Sequence, residues 1–312
     1  MMRRATQTIE RVLFGALVVS LVATAGWSQS LTWLGTLGGR VSVAFGVSAD
    51  GSVVVGYAQN AAGYYRAFRW ENGVMQDLGT LGGSGGEAHG VSADGSVVVG
   101  WAANAAEQIR AFRWENGVMQ DLGTLGGDRS EALGVSADGS VVVGTARNAA
   151  GQFRAFRWQN GVMQDLGTLG GDRSEAWGVS ADGSVVVGWA YNAAGQERAF
   201  RWASGVMQDL GTLQGGDHSW ARGVSADGSV VVGTARNAAG QPRAFRWQNG
   251  VMQDLGTLQG GDHSWALGVS ADGSVVVGTA RDAAGQRRAF RWTAAGGMED
   301  LNITYASLLT DG

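Results

Sequence analysis

The chain has 312 residues, 45% of them hydrophobic, and a formal net charge of −4 at neutral pH. All 23 basic residues are arginine and there is no cysteine, which excludes lysine Schiff-base chemistry, disulfides and thiolate metal sites. The 53 glycines, the single proline and the abundant valine and tryptophan are typical of many short strands joined by tight turns. An all-β protein is therefore predicted.

Residues 1–28 are predicted to be a secretory signal peptide. Arg3, Arg4 and Arg11 precede an apolar run over residues 12–25, which ends in Ala-Thr-Ala. An uncleaved membrane anchor is the alternative, but the run is shorter than the ~20 residues that span a bilayer. Removal of the leader makes the charge more negative, so a nucleic-acid partner is not expected. We expect a secreted, extracellular or cell-envelope protein with no membrane span after signal removal.

Residues 29–303 are built from six copies of one unit, followed by a short tail over residues 304–312. The motif GVSADGSVVVG begins at Gly46 and recurs at intervals of 44, 44, 44, 45 and 45 residues. A period of this size predicts a propeller, solenoid or array.

The second copy illustrates the strands expected in each unit. Asp94-Gly95, between short strands at 90–93 and 96–99, predicts a type I′ hairpin. Asn116-Gly117, between strands at 110–114 and 118–122, predicts a second one, with Phe112 opposite Asp121. A glycine-rich joint over residues 123–127 then leads to the next copy. We call the four strands a, b, c and d.

Four antiparallel strands in about 44 residues match one blade of a β-propeller, and the Val-Val-Val run suits a strand packed on both faces. The predicted fold is thus a propeller of six four-stranded blades, with a β-solenoid as the alternative. The segment LTWLGTLGG, residues 31–39, resembles a seventh strand d. It is expected either to close the ring of six blades or to begin an incomplete seventh blade.

Two residue types recur in every copy and could be read as ligand sites. The tryptophan that ends each RAFRW motif could stack on sugars, but its periodicity favours a core position between blades. The arginine that begins the motif pairs, in the predicted register, with the aspartate of strand d. These Arg/Asp pairs, which include Arg110/Asp121, are more simply explained as structural ion pairs than as an anion-binding ring.

Differences between the copies concentrate in the b–c loops and the d–a joints, which the antiparallel order places on one face of the disc. Function commonly lies on loops that a rigid scaffold holds, so this face is the candidate binding surface. Its candidate ligand-binding residues are Asp217, His218, Trp220, Asp262, His263, Trp265, Arg129 and Arg173. The Asp/His pairs could also be solvated loop polarity copied by duplication, and the arginines could form surface ion pairs with Glu131 and Glu175.

The copies of GVSADGSVVVG, an AAG-containing loop in most of them, RAFRW and DLGTLGG together resemble the HAF repeat family, over residues 31–302. The chain departs from the family at the namesake histidine, which is arginine in all six copies, for example Arg110. The resemblance implies an exported repeat protein, attached in some relatives to an autotransporter barrel, and it implies no established activity.

We therefore expect a non-catalytic binding or display module that is monomeric, needs no cofactor or metal and has an unknown protein or glycan as its partner. The motif GVSAD lacks the last glycine of a serine-hydrolase elbow, so no catalytic residue is assigned. A passive structural or passenger array is the main alternative. A propeller glycosidase or lyase is the third reading.

Overall fold

The computed structural model describes residues 32–306, which form a ring of six four-stranded antiparallel sheets. The predicted six-bladed β-propeller is confirmed. The predicted signal peptide and the last six residues lie outside the described range. In each blade the strands follow one another in space in the order a, b, c, d. Strand a lines the central channel and strand d is outermost.

Strands β1–β24 are numbered along the chain, four to a blade, and a single short helix follows them. The a strands are β1 Gly38–Val47, β5 Gly82–Val91, β9 Gly126–Val135, β13 Gly170–Val179, β17 Ser219–Val224 and β21 Ser264–Val269. The b strands are β2 Val53–Asn60, β6 Val97–Asn104, β10 Val141–Asn148, β14 Val185–Asn192, β18 Val230–Arg236 and β22 Val275–Arg281. The c strands are β3 Tyr65–Glu71, β7 Ile109–Glu115, β11 Phe153–Gln159, β15 Glu197–Ala203, β19 Pro242–Gln248 and β23 Arg287–Thr293. The d strands are β4 Val74–Asp77, β8 Val118–Asp121, β12 Val162–Asp165, β16 Val206–Asp209, β20 Val251–Asp254 and β24 Gly297–Asp300, and helix α1 spans Leu301–Thr304.

The core lies between neighbouring blades. Val97, Val98 and Val99 of β6 are almost completely buried, because one face of the sheet packs on blade 1 and the other on blade 3. Trp158, which ends its RAFRW motif, is 7% exposed and packs against blade 2 in a cluster with Val97 and Leu122. The core interpretation is confirmed for five of the six repeated tryptophans, which are 7% exposed, whereas Trp70 of blade 1 is only partly buried.

The c–d hairpins have the predicted geometry and the a–b turns do not. Asn116 and Gly117 both have positive φ, at 51° and 82°, as a type I′ turn requires, and Phe112 pairs with Asp121. In the a–b turn only Gly95 has positive φ, and the connection runs over five residues between β5 and β6. The type I′ prediction for Asp94-Gly95 was wrong, because the side chains of Ser92 and Asp94 hold a wider turn.

Strand a is longer than predicted. In blade 3 it begins at Gly126, so residues read as a d–a joint belong to the strand and pair with the far half of β10. The glycine in the middle of strand b makes this possible, as blade 2 shows. There, a Cβ on Gly100 of β6 would lie 1.9 Å from the carbonyl oxygen of Glu87 in β5. Strands a and b therefore approach more closely than any side chain at that position would allow.

At five of the six interfaces, one backbone hydrogen bond joins the a–b turns of neighbouring blades. The amides of Ala49, Ala93, Ala137, Ala181 and Ala226 each donate to the equivalent alanine of the next blade. In the described chain no such bond joins Ala271 of blade 6 to Ala49 of blade 1. Val54 of blade 1 and Val275 and Val277 of blade 6 are only partly buried, whereas their counterparts elsewhere are buried. The sixth interface, called here the seam, is looser than the other five.

The prediction that the N-terminal segment forms a seventh strand d is wrong for the part that the structure describes. Residues 32–36 are not in a strand, and β24 is the outer strand of blade 6. Because β24 already pairs with β23, that edge is filled. Helix α1 then supplies Asn302, whose Oδ1 accepts a hydrogen bond from the Ala289 amide. In blades 2–5 a buried serine of the following blade accepts this bond, as Ser130 does from Ala111.

Candidate functional site

The two faces of the ring differ in how much their sequence varies from blade to blade. The constant face carries the a–b and c–d turns. The variable face carries the b–c loops and the first halves of the a strands, and it surrounds one mouth of the central channel.

Each turn on the constant face is held by the same polar contacts. The Asp94 carboxylate accepts hydrogen bonds from the Ser92 hydroxyl and from the amide and hydroxyl of Ser96. These contacts lower the pKa of Asp94 to about 2. The Ser92 hydroxyl also accepts from the Val97 amide and is fully buried. The repeated serine of GVSAD is thus a turn residue and not an exposed nucleophile.

Three positions in the first half of strand a alternate with residues that are small and mostly buried. In chain order around the ring, the first position holds Val41, Gly85, Arg129, Arg173, His218 and His263. The second holds Val43, Glu87, Glu131, Glu175, Trp220 and Trp265. The third holds Phe45, His89, Leu133, Trp177, Arg222 and Leu267. Each alternates with the serine and alanine that pack between the blades, which is why these side chains can differ without changing the core.

The six a strands enclose a narrow channel. It has a volume of 280 Å³ and is lined by one Gly-Val pair from every blade, beginning with Gly46-Val47. A Cβ on Gly46 would lie 3.1 Å from the carbonyl oxygen of His89 in the next blade, so the glycines bring the inner strands close together. Because every blade lines the wall with the same Gly-Val pair, differences in selectivity have to come from the side chains at the mouth.

The predicted residues of blades 5 and 6 form two copies of one arrangement. His218 Nδ1 lies 2.7 Å from Asp217 Oδ1, and the imidazole stacks against Trp220 with ring centroids 6.0 Å apart. In blade 6, His263 and Trp265 stack at 5.7 Å, and the Arg287 guanidinium lies 4.7 Å from the Trp265 ring centroid. Each histidine thus interacts with its own blade, and the structure does not bring the two Asp/His pairs into one common site.

Arg129 and Arg173 occupy the same position as these histidines, two blades earlier. Arg129 donates to Glu131, and Arg173 donates to Glu175. The Arg173 guanidinium also lies 5.2 Å from the ring centroid of Phe153 in blade 3 and 5.3 Å from that of Trp189 in its own blade. The predicted pairs with Glu131 and Glu175 are present, and in blade 4 aromatic rings add to the ion pair.

The repeated Arg/Asp ion pairs have long nitrogen–oxygen distances, and they form in only some of the blades. Arg66, Arg154 and Arg198 approach the aspartate of strand d at 3.8–3.9 Å. In blades 2, 5 and 6 the pairing prediction was wrong. Neither Arg110 and Asp121 nor Arg243 and Asp254 come within 4.0 Å as an ion pair, and Arg110 donates to Gln108 instead. In blade 6, Arg288 donates to Asp282 at 2.9 Å and not to Asp300. The contacts join strands of one blade, which fits a structural role.

Sequence reasoning missed several residues at the channel mouth. Phe45 stacks on His89 of the next blade at 5.1 Å, and the Arg222 guanidinium lies 3.8 Å from the Trp177 ring centroid. Burial lowers the pKa of His89 and raises that of Glu87. The available signal was the alternation of small and variable residues through the supposed joint, which indicates a strand.

Among residues 32–306, no helix has the length and apolar character needed to cross a membrane. In the same range, no three or more His, Asp or Glu side chains are grouped so that they could hold a metal ion.

Comparisons with known proteins give the fold and no family. No family model matches the chain, and no curated protein matches it. The β-propeller domain of the Trilobed protease from Pyrococcus furiosus, described as having an open velcro topology, is similar with a TM-score of 0.55 and 14% identity over 83% of each chain. TolB from Acinetobacter baumannii has a TM-score of 0.52 and 13% identity over 80% of this chain, which spans 62% of that one. An oligogalacturonate lyase in complex with manganese has a TM-score of 0.52 and 14% identity, over 82% of this chain and 75% of that one. At these identities the likeness shows a shared β-propeller architecture.

Proposed function

We propose that this chain is a non-catalytic binding module of the cell exterior or envelope, which engages a protein or glycan through its variable face. The observation that carries the proposal is the segregation of variation. The turns of the constant face and the inter-blade core are nearly the same in every blade, whereas the first, second and third positions of strand a change around the channel mouth.

The chemistry of the mouth supports binding. Aromatic rings, guanidinium groups and carboxylates lie side by side there, as in Arg222 above Trp177 and Arg173 beside Glu175. Such residues are common where proteins recognise partners, because they combine apolar area with charged hydrogen-bonding groups. The buried serines of the turns and the histidines held against neighbouring aspartates support a role without catalysis.

The expected location and assembly follow from the sequence. The basic and apolar leader and the resemblance to HAF repeats support export, and we propose that the mature chain acts as a monomer. The acidic balance of the mature chain argues against a nucleic-acid partner.

The experiment is a protein and glycan array probed with the mature chain. We expect at least one partner for which the parent chain and a Val162→Ala control have equal affinity. The Trp265→Ala variant should bind this partner at least tenfold more weakly. Val162 is exposed on the constant face, so the control changes apolar surface away from the proposed site. No partner above background, or equal loss in both variants, would favour the passive array.

A further inference from the structure

Blade 4 shows how this propeller accommodates a guanidinium group on its variable face. The Arg173 side chain contacts the Phe153 ring of blade 3 and the Trp189 ring of blade 4, and it donates to the Glu175 carboxylate. Trp189 is only 5% exposed. The planar cation therefore lies against two aromatic rings with a carboxylate at its end, an arrangement that suits guanidinium better than ammonium.

The interface between blades 1 and 2 has equivalent acidic and aromatic residues without the arginine, and its Tyr65 ring also packs edge-on against Tyr57 at 5.2 Å. Glu87 pairs with Trp101 across β5 and β6, as Glu175 pairs with Trp189 in blade 4. Tyr65 begins strand c of blade 1, as Phe153 begins that of blade 3. At the position of Arg173, however, blade 2 has Gly85.

Gly85 leaves room for a side chain that comes from elsewhere. A Cβ at Gly85 would have one close neighbour, the Tyr65 carbonyl oxygen at 3.2 Å. Trp101 is partly exposed and Tyr65 is 47% exposed. Blade 2 also has Ala103 where blade 4 has Tyr191, whose ring packs edge-on against Trp189 at 5.3 Å. The ring that Arg173 and Tyr191 cover in blade 4 is therefore accessible in blade 2.

The charges around this cleft favour a cation. Glu87 lies beside His89 at 3.7 Å and next to the Trp101 indole, and burial together with repulsion from Glu131 raises the pKa of Glu87. Glu107 closes the rim, since its carboxylate accepts hydrogen bonds from the amide and hydroxyl of Ser84. Burial lowers the pKa of His89, which disfavours the protonated imidazole beside Glu87. An incoming cation would stabilise the charged form of the Glu87 carboxylate, which lacks a strong counterion.

We propose that the cleft of Tyr65, Trp101 and Glu87, opened by Gly85, binds a guanidinium group, and that its source is an arginine side chain of a protein partner. This inference rests on the proposed function and narrows the partner to one that presents an exposed arginine. The guanidinium occupies the place that Arg173 takes in blade 4, against the Trp101 ring and in contact with the Glu87 carboxylate.

The direct test is titration of the mature chain with N-acetyl-arginine amide, followed by calorimetry and tryptophan fluorescence. We expect saturable binding that N-acetyl-lysine amide does not reproduce. Glu87→Gln, which keeps the shape of the side chain, should weaken binding at least tenfold. Gly85→Arg should abolish it, because the new side chain fills the cleft from within. Unchanged affinity in either variant, each checked for a parent-like melting curve, would overturn the proposal.

A second variant tests the internal template. The double variant Arg173→Gly/Tyr191→Ala uncovers the Trp189 ring as Gly85 and Ala103 uncover that of Trp101, and it should raise the stoichiometry of the probe from one toward two. A stoichiometry that stays at one would show that rings and carboxylate in this arrangement do not suffice. A short peptide with a central arginine tests whether the guanidinium group comes from a protein. Its affinity is compared with that of free arginine and of the lysine analogue of the peptide. Tighter binding of the arginine peptide supports a protein partner, and equal binding of free arginine overturns that assignment.

Failure of this inference can be told apart from failure of the proposed function. An array partner that depends on Trp265 but is indifferent to Gly85→Arg and Glu87→Gln would leave the binding function standing and remove the guanidinium site. Specific binding of the arginine probe without any array partner would support the guanidinium site and leave the proposed binding function without support.

Discussion

At the residue scale, one aspartate organises each a–b turn. The Asp94 carboxylate accepts hydrogen bonds from the hydroxyls of Ser92 and Ser96. The Ser92 hydroxyl in turn accepts a hydrogen bond from the amide of Val97, at the start of strand b. The sequence predicts a turn at this site, because Asp-Gly is a strong turn signal. It does not reveal the wider loop, since the side-chain contacts of Ser92 that set the turn depend on its burial.

The lowered pKa values of these aspartates predict a sharp loss of stability in acid. The pKa of Asp50, Asp94, Asp182, Asp227 and Asp272 falls to about 2 through hydrogen bonds from serines, and that of Asp138 is also lowered. A carboxylate with a depressed pKa in the folded state stabilises the fold above its ordinary pKa of 3.8 and ceases to do so as the pH falls toward 2. The melting temperature, followed by circular dichroism, should therefore be nearly constant from pH 7 to about 5 and drop steeply between about pH 4 and 2.

A single turn can be tested at neutral pH. Asp94→Asn should lower the melting temperature by a few degrees, whereas Asp128→Asn, which changes an exposed carboxylate on the variable face, should leave it unchanged. Equal melting of the two variants would contradict the role given to the turn aspartates.

At the element scale, strand b was the easiest strand to predict and strand a the hardest. The Val-Val-Val run predicts burial on both faces, and Val97 to Val99 are indeed buried on both. Strand a begins with glycines, which favour a loop in any reading of local propensity. Its alternation was nevertheless visible: Ser130 and Ala132 are buried, while Arg129 and Glu131 between them are only partly buried. Tertiary pairing with the far half of strand b overrides the weak propensity of the glycines.

The tryptophan of strand c should dominate the stability of its blade. Trp158→Ala removes a side chain that fills the space between blades 2 and 3, and we expect a loss of about 3–5 kcal/mol in the free energy of unfolding. His218→Ala changes a partly exposed side chain and should cost less than about 0.5 kcal/mol. Urea denaturation measures both, and equal midpoints would contradict the core assignment of Trp158.

At the scale of the whole molecule, five interfaces hold the ring and the seam between blades 6 and 1 is different. Five buried clusters link consecutive blades from 1 to 6, and in the described range none links blade 6 to blade 1. The number of blades could be predicted from the period. The way the ring ends could not, because it depends on whether the outer edge of blade 6 is filled by β24 or by the N-terminal segment, and both have the sequence of a strand d.

The looseness of the seam can be measured with a matched pair of substitutions. Val54 and Val98 occupy the same position in blades 1 and 2, but Val98 is completely buried against blade 1 while Val54 faces the seam and is partly exposed. Val98→Ala should cost about 2 kcal/mol of unfolding free energy and Val54→Ala less than half of that. Equal costs in chemical denaturation would mean that the seam packs as tightly as the other five interfaces.

The alternation along strand a has a consequence for how such a chain can change. Serine and alanine hold each sheet against its neighbour, and the residues between them are only partly buried. Substitutions can therefore change the variable positions one blade at a time, while the buried serines and alanines continue to specify the same architecture. A protein made this way can acquire new specificities by substitution or by copying of whole units, with little penalty to its folding.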